Sequence, residues 1–477
     1  EDHVYVNAPL VKMITYPFSW ILPLLILACV FFVGLLFYGF SKKALNGKSI
    51  GRGFAAFLLS LLSCGAVGYF GWLLIQTLYP GYAEIQHGFT YNGHWYIAFF
   101  VTLSVAIVFG IYRGFRPRKE IASYYVAPLV FWLIINTVVF IILKGAAYWI
   151  IPVFFGLVSF FLVLKQEKPS IVLLTVLAIP ALIFFSPLIQ FFPVGLGLKM
   201  LVISCVFVVL LFGLMVPVFA RYKLKKAIVI LSFFSAISLF IVAHLKSDFT
   251  DARQKPNSLV YYKNVDSGVN YWLTYDKTLD PWTQGYLGEK PISANEVVSN
   301  AAGSKYNTSY TFAAEAPEKN IAPFTVELQS DSSNSGTRQV VFTIIPQRQV
   351  NELLLYTDID TPLEDLAFNG MEVSQDTTEN MYHNRNYRRI LRYVVSDRDS
   401  LEVRLSTTPS TPLQFEVLEY SYDLLNHPLF SITTRPKNTM PKPFINTDAI
   451  VVRRSFSIDD IPKKEQDTTV TNNNTNE

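Results

Sequence analysis

The placement of apolar residues constrains this chain more than any other feature of its sequence. Long apolar runs fill the first half and stop at about residue 245, and the second half has none of comparable length. A bilayer core about 30 Å thick needs about 20 apolar residues per helix. The first half therefore predicts a polytopic α-helical membrane domain. Its eight candidate spans lie at about residues 18–40, 54–78, 94–112, 121–143, 146–164, 170–192, 198–219 and 227–245.

Basic residues between the predicted spans indicate which side of the membrane each loop faces. Residues 1–245 contain 17 Lys and Arg, and 14 of these fall in every second loop, in SKKALNGKSIGR, RGFRPRK, KQEK and RYKLKK. The alternate loops hold only Lys12, Lys144 and Lys199. Because short basic loops stay in the cytoplasm, both termini are predicted to be non-cytoplasmic. We expect a bacterial inner membrane with a periplasmic domain, and an internal eukaryotic membrane is the alternative.

The second half changes to an alternation of apolar and polar residues, which is typical of half-buried strands. TVELQS places Val326 and Leu328 on one face, and RQVVFTI, SLEVRL and LQFEVLEY repeat the period. Turn sequences such as SSNSG and TTPSTP separate these segments. We predict an all-β exported domain, an antiparallel β-sandwich, at residues 246–462. The predicted organisation is an exported N-terminal segment at 1–17, a helical transmembrane domain at 18–245, this β domain, and a disordered tail at 463–477.

Polar residues inside the predicted spans bear on transport. Ion and proton pathways are usually lined by ionisable side chains, and no such residue falls in the middle of a predicted span. The main interior polar residues are Asn136, Gln76 and Gln190. Amide side chains of this kind often form hydrogen bonds between helices. We therefore interpret the bundle as structural, with a transporter as the alternative.

The search for catalytic and metal-binding motifs is mostly negative. Glu84, His87 and His94 form the best metal-like cluster, because zinc accepts such ligands. Histidine and aromatic residues also gather at membrane interfaces, and we favour that interpretation. His383 and His427 have no carboxylate–histidine spacing and are interpreted as surface or packing residues. NGKS resembles the end of a phosphate-binding loop but lacks the first glycine of that motif. No catalytic, cofactor-binding or metal-binding residue is assigned.

One segment of the second half, YHNRNYRRILRY, interleaves four arginines with three tyrosines. Such a pattern suits nucleic acid or glycan. However, the second half carries 23 Lys and Arg against 31 Asp and Glu, and it is predicted to lie outside the cytoplasm. We interpret the segment as an arginine-bearing edge strand and expect no nucleic-acid partner.

Several longer segments resemble a known family. They are NSLVYYKNVDSGVNYWLTYDKTLDPWTQGYLG, APFTVELQSDSSNSGTRQVVFTIIPQR, LAFNG and SITTRPKNTMPKPFINTDAIVVRRSF, in that order, together with APLVKMITYPFSWILPL at the entry to the first span. They resemble the membrane and C-terminal regions of membrane-bound zinc aminopeptidase-like proteins of metallopeptidase family twenty-eight. That group includes the endoplasmic reticulum metallopeptidase and the fungal vacuolar membrane protease, and the match is to its bacterial members.

The resemblance implies a zinc peptidase domain before the membrane region, on the exported side. In that family two zinc ions are held by His and Asp or Glu, and an adjacent Glu-Glu pair supplies the general base. This chain contains no His-x-Asp and no Glu-Glu sequence, so no family metal or catalytic residue transfers to it. The resemblance therefore implies no cofactor in this chain and zinc in an upstream domain. The start EDHV, without Met, fits this expectation.

The first functional hypothesis is a non-catalytic membrane anchor and exported domain of such a hydrolase. Its expected partners are the lipid bilayer, the upstream peptidase domain and, by resemblance, a peptide substrate. The alternative is a stand-alone scaffold or binding subunit of an envelope complex, whose β-sandwich binds a protein or glycan. A transporter is the third hypothesis.

Overall fold

The computed structural model describes residues 2–8, 11–115, 120–220, 222, 224–298, 308–373, 387–395 and 400–462. The chain divides into two compact units, Glu1–Asp248 and Phe249–Glu477, here called the helical unit and the β unit. The predicted tail at 463–477 lies outside the described residues, as does His383.

The helical unit begins with a hairpin of β1 (His3–Ala8) and β2 (Val11–Pro17), which pair antiparallel. The described helices that follow are α1 (Ile21–Ser41), α2 (Gly47–Leu78), α3 (Gly93–Phe115), α4 (Ile121–Ile142), α5 (Ile150–Lys165), α6 (Ile171–Leu196), α7 (Leu201–Leu214), α8 (Val216–Phe219) and α9 (Lys225–Leu245). Seven described helices, α1 to α6 and α9, are long and apolar enough to cross a membrane, α1 and α5 together with the 3-10 turn before each.

The predicted span at 198–219 is not one continuous helix. A 3-10 turn precedes α7, which ends at Leu214, and α8 begins at Val216, with Met215 between the two helices. Pro217 has no N–H to donate, and its ring clashes with the carbonyl four residues earlier, so the helix is interrupted at Met215. The segment nevertheless extends along α3. Its start donates from Leu198 N to Gly88 O at 2.9 Å, and near its end the rings of Phe219 and Phe109 are 5.2 Å apart.

Alternate loops gather at opposite ends of the helical unit. Lys42, Lys43, Lys165 and Glu120 line one cleft at the start of α4, here called the basic end. Val139, near the other end of this 22-residue helix, packs with Val4, Ile21 and Ala147, here called the hairpin end. At about 1.5 Å per residue, α4 separates the two by about 30 Å.

Large apolar side chains cover the outside of the helical unit, whereas aromatic rings fill its interior. Phe37 is 73% exposed and Leu62 is 70% exposed. Inside, the rings of Trp132 and Phe185 stack with their centres 4.2 Å apart. A surface this apolar matches a lipid solvent, because single exposed apolar residues are normal on soluble proteins but whole helix faces are not.

The strands of the β unit form two large sheets. The described strands are β3 (Lys255–Asn257), β4 (Val260–Asn264), β5 (Asn270–Thr274), β6 (Ile292–Ser293), β7 (Phe312–Glu315), β8 (Thr325–Asn334), β9 (Thr337–Ile345), β10 (Glu352–Thr357), β11 (Glu364–Phe368), β12 (Met371–Glu372), β13 (Arg389–Val394), β14 (Leu401–Thr407), β15 (Gln414–Ser421), β16 (Thr439–Pro441) and β17 (Ala449–Ser457). One sheet has the order β13-β10-β15-β17-β4-β5-β7-β6, and the other β12-β11-β14-β9-β8. A helix, α10 (Pro281–Leu287), lies between β5 and β6 in the chain.

One apolar core joins the two sheets. Phe342 and Val403 from the five-stranded sheet share it with Leu355 and Phe415 from the eight-stranded sheet. The alternating segments predicted as strands correspond to β8, β9, β14 and β15. In β15 the predicted half-burial is wrong, because seven consecutive residues are buried. The purely antiparallel arrangement is wrong, because β17 pairs parallel with β4 and β16 pairs parallel with β3. These partners come from opposite ends of the unit, so no tight turn forces them to be antiparallel.

Candidate functional site

The hairpin end holds the N-terminal strands firmly against the helices. Val4 in β1 is fully buried and packs with Ile21, Val139 and Ala147. Phe18 N donates to Asp2 O at 2.9 Å, which ties the base of the hairpin to the turn before α1. The chain therefore enters the first long helix through a packed hairpin rather than through a free linker.

A polar cluster at the end of α9 ties this helix to the loop before α3. Asn92 Nδ2 donates to Ala243 O and to Tyr82 Oη, both at 2.8 Å. Thr90 Oγ1 donates to Asn92 Oδ1 at 2.7 Å, and Tyr79 Oη lies 2.7 Å from His244 Nδ1. The cluster therefore holds the end of α9 against the loop before α3.

The predicted metal-like cluster is not assembled as a ligand set. Glu84 is fully buried, His87 Nε2 lies 3.2 Å from Gly195 O, and the His94 ring packs edge-on against Phe89. Among the described residues, no group of three His, Cys, Asp or Glu side chains is placed to hold a metal ion. Packing at the end of the bundle accounts for His87 and His94.

The three amide side chains that the sequence placed inside the bundle do not line a common transport pathway. Asn136 is buried, but its Nδ2 donates to Trp132 O of its own helix at 2.8 Å, so the expected interhelical hydrogen bond is wrong for this residue. Gln76 and Gln190 are exposed on the outside of their helices. One turn away on α4, Trp132 does join two helices, because its Nε1 donates to Leu210 O of α7 at 3.1 Å.

The β unit buries ion pairs that the sequence patterns did not reveal. Lys442 Nζ donates to Asp276 Oδ1 at 3.0 Å, with the two side chains 2% and 0% exposed. Asp276 also accepts from Ser258 Oγ at 2.8 Å. A second network places Arg435 against Asp448. The first network ties together the segments that follow β3, β5 and β16. The second ties the segment before β16 to the residue before β17.

A separate buried charge lies between the two sheets. Glu419 in β15 is fully buried, and its Oε2 accepts from Phe324 N at 3.1 Å. Burial raises the pKa of Glu419 to about 7, which the nearby Arg348 and Arg454 only partly oppose. Its Oε1 has no hydrogen-bond partner among the described residues. Protonation of this carboxyl is therefore coupled to the stability of the inter-sheet core.

The arginine–tyrosine segment contributes an edge strand where it is described. β13 pairs with β10 at the edge of the eight-stranded sheet, and Arg392 donates Nε to Glu352 Oε1 at 2.7 Å. This confirms the predicted edge strand. His427 packs its ring against Phe430 and accepts from Leu429 N at 3.2 Å, as a packing residue does.

Comparison with known proteins gives no match to a protein-family model and no significant similarity to a curated protein. The candidate site therefore rests on this chain's own geometry. Sequence patterns missed Val4 and Asn92, which form the two junctions at the hairpin end. The signal available for Asn92 was its position in a loop between two apolar runs, and polar loop residues are too common for that to single it out.

Proposed function

We propose that this chain is the non-catalytic membrane anchor and exported domain of a zinc-aminopeptidase-like membrane protein. It positions a peptidase domain located upstream on the exported side. The packed hairpin at residues 3–17 carries the proposal, because it would transmit the orientation of the helical unit to whatever precedes it. The family resemblance supplies the identity of the upstream domain and its zinc.

The proposed orientation places the basic end in the cytoplasm and the hairpin end outside it. The separation of Lys42, Lys43 and Lys165 from Val4 along α4 supports this. Counting α7 and α8 as one crossing gives eight spans, because residues 198–219 extend along α3. Both the hairpin and the start of the β unit then lie on the exported side, in a bacterial inner membrane with a periplasmic domain.

The experiment compares the native polypeptide with the isolated chain. Peptide mapping of protein purified from its own membrane is expected to find zinc-peptidase sequence covalently attached before residue 1. The full polypeptide should then bind zinc and hydrolyse peptides, whereas chain 1–477 should do neither. Zinc-dependent hydrolysis by chain 1–477 would overturn the division of roles.

A pair of neighbouring substitutions tests the positioning role of the hairpin. Val4→Asp places a charge in the packed junction, whereas Tyr5→Asp alters a side chain that is 68% exposed on the same strand. In the full polypeptide, V4D should expose residues 1–17 to proteolysis and change peptide hydrolysis, and Y5D should do neither. Equal behaviour of the two variants would contradict a positioning role.

A second candidate function is a binding subunit, which a polar cleft on the five-stranded sheet favours. The cleft has a volume of about 560 Å³ and includes Ser330, Ser332, Gln339 and Arg404. Hydroxyl, amide and guanidinium groups on a sheet surface suit a glycan or a polar peptide. Glycan-array and peptide-array binding by the intact protein tests it, with Arg404→Ala and Ser332→Leu expected to abolish any signal.

A further inference from the structure

A cleft at the basic end combines an apolar floor with one positive and one negative side chain. It lies between the start of α2 and the end of α3 and has a volume of about 710 Å³. This is within the size range of ligand sites in proteins, about 300–1,000 Å³. Its lining consists of Arg52, Leu59, Gly110, Ile111, Gly114, Phe115 and Glu120.

The two glycines keep the floor of the cleft empty. A Cβ atom built on Gly110 or on Gly114 would meet no atom within 4 Å. Leu59, on the opposite wall, is 46% exposed, and Leu62, one turn further along α2, is 70% exposed. The apolar part of the cleft is therefore continuous with the outer surface of the helical unit and has the chemistry of an acyl-chain slot.

The rim of the cleft carries two charged side chains, Arg52 and Glu120. Neither Arg52 nor Glu120 has a side-chain hydrogen bond or ion pair with another residue in the described part of the chain. Glu120 is the N-cap residue of α4, yet its carboxylate makes no capping hydrogen bond. A guanidinium recognises phosphate, and a carboxylate recognises a primary ammonium group.

We propose that this cleft binds one phospholipid whose headgroup joins a phosphate to a primary ammonium, as in phosphatidylethanolamine. Arg52 holds the phosphate, Glu120 accepts hydrogen bonds from the ammonium, and an acyl chain lies over Gly110 and Gly114. The site rests on the proposed membrane insertion of the helical unit. Phosphatidylglycerol suits it less well, because its neutral glycerol headgroup leaves the charge of Glu120 without an ammonium group to pair with. A trimethylammonium headgroup has no N–H to donate to Glu120.

Native mass spectrometry of the purified protein, with matched acyl chains, tests the headgroup preference. Phosphatidylethanolamine should be retained about tenfold more than phosphatidylcholine or phosphatidylglycerol, the size expected for charge-assisted hydrogen bonds. Inorganic phosphate should not compete, because the acyl slot contributes to binding. Equal retention of the three lipids, stronger retention of phosphatidylglycerol, or displacement by phosphate would overturn the proposal.

Matched variants assign each part of the cleft. Arg52→Gln should reduce retention of all three lipids, because each carries the phosphate that Arg52 holds. Glu120→Gln should remove the preference among headgroups and allow phosphatidylglycerol to bind as well as phosphatidylethanolamine. Gly110→Leu should reduce retention of every lipid by filling the slot. Gly34→Leu in α1 is its control, since Gly34 is equally open and does not line this cleft. Retention unchanged in R52Q or G110L would contradict the proposed site.

Carbonate extraction of cell membranes separates this site from the proposed function. A chain that resists extraction but shows no headgroup preference disproves the lipid site and leaves membrane insertion intact. A chain released by carbonate disproves both.

Discussion

The two units handle polar groups in opposite ways. The helical unit satisfies its buried polar side chains mainly through backbone carbonyls, as Asn136 does with Trp132 O and Tyr125 Oη does with Leu214 O. The β unit buries opposite charges against each other, as Lys442 and Asp276 do. An unpaired buried charge is costly, so the helical unit relies mainly on uncharged donors, whereas the β unit pairs most of its buried charges. Glu419 is an exception, because its Oε1 has no hydrogen-bond partner among the described residues.

The largest effect on stability is expected at the buried ion pair of the β unit. Asp276→Ala removes the carboxylate that neutralises the buried ammonium of Lys442, which should lower the free energy of unfolding of the β unit by about 3–5 kcal/mol. Hydrogen exchange of β-unit peptides under increasing denaturant measures it, and α3 and α9 should be unaffected.

Arg404→Ala is the control for the ion pair, because Arg404 and Glu372 are paired at the surface, with side chains 49% and 80% exposed. Its effect should stay below about 1 kcal/mol. If the two variants lower the free energy of unfolding by the same amount, burial of the ion pair does not determine how much it stabilises the β unit.

The next largest effect is the pH dependence of the stability of the β unit. Because burial raises the pKa of Glu419 from its model-peptide value of 4.5 to about 7, the folded state binds a proton more tightly than the unfolded state. Stability should therefore fall as pH rises from about 4.5 to about 7, by up to about 3 kcal/mol, and level off above that.

Denaturant unfolding of the β unit at several pH values measures this slope. Glu419→Gln should flatten it, and the exposed substitution Glu372→Gln should leave it unchanged. A slope that persists in E419Q would assign the pH dependence to another group.

In the helical unit, the expected effects come from close packing rather than charge. A Cβ on Gly68 would lie 2.7 Å from the backbone Cα of Val202, whereas one on Gly65 would lie 3.9 Å from its nearest neighbour. Gly68→Ala should therefore push α2 away from α7 and destabilise the helical unit by about 2 kcal/mol. Gly65→Ala should be neutral or slightly stabilising. Thermal unfolding in detergent compares the two, and an equal response would show that α2 and α7 do not pack as described.

The smallest effect is expected at the loop that holds α9. Asn92→Leu removes the donor to Ala243 O and Tyr82 Oη, which should cost about 1–2 kcal/mol. Faster hydrogen exchange at the end of α9 is the readout. Gln76→Leu, an exposed polar substitution near the same end, should leave exchange there unchanged. No change in N92L would mean that the cluster does not hold the helix.

The length of the apolar runs predicts the helices well, and the alternation of apolar residues predicts the central strands. Both patterns depend only on residues that are close together in the chain. The interruption at Met215 was not predicted, although Pro217 was visible, since prolines are common in membrane helices and many are accommodated. The parallel pairing of β17 with β4 was also missed. The Lys442–Asp276 pair joins residues 166 positions apart, and no local pattern indicates which distant charges meet.

The candidate site was harder to predict than the fold for the same reason. Val4 lies in a short segment with no marked period, and its burial depends on Val139 and Ala147 more than 130 residues away. The sequence places Arg52 in a basic loop and assigns no role to Glu120, because their common cleft exists only once α2 and α3 are packed. Only the folded structure therefore shows which of these distant residues come into contact.

Side-selective cysteine labelling in intact cells tests the central proposal most directly. Single cysteines replace Asp2, Lys43 or Asp251 in a chain whose native cysteines, Cys29, Cys64 and Cys205, are changed to alanine. Asp2→Cys and Asp251→Cys should react with a membrane-impermeant maleimide from outside, and Lys43→Cys should react only after the cells are opened. Labelling of Lys43→Cys from outside, or protection of either exported position, would contradict a helical unit that holds both the hairpin and the β unit on its exported side.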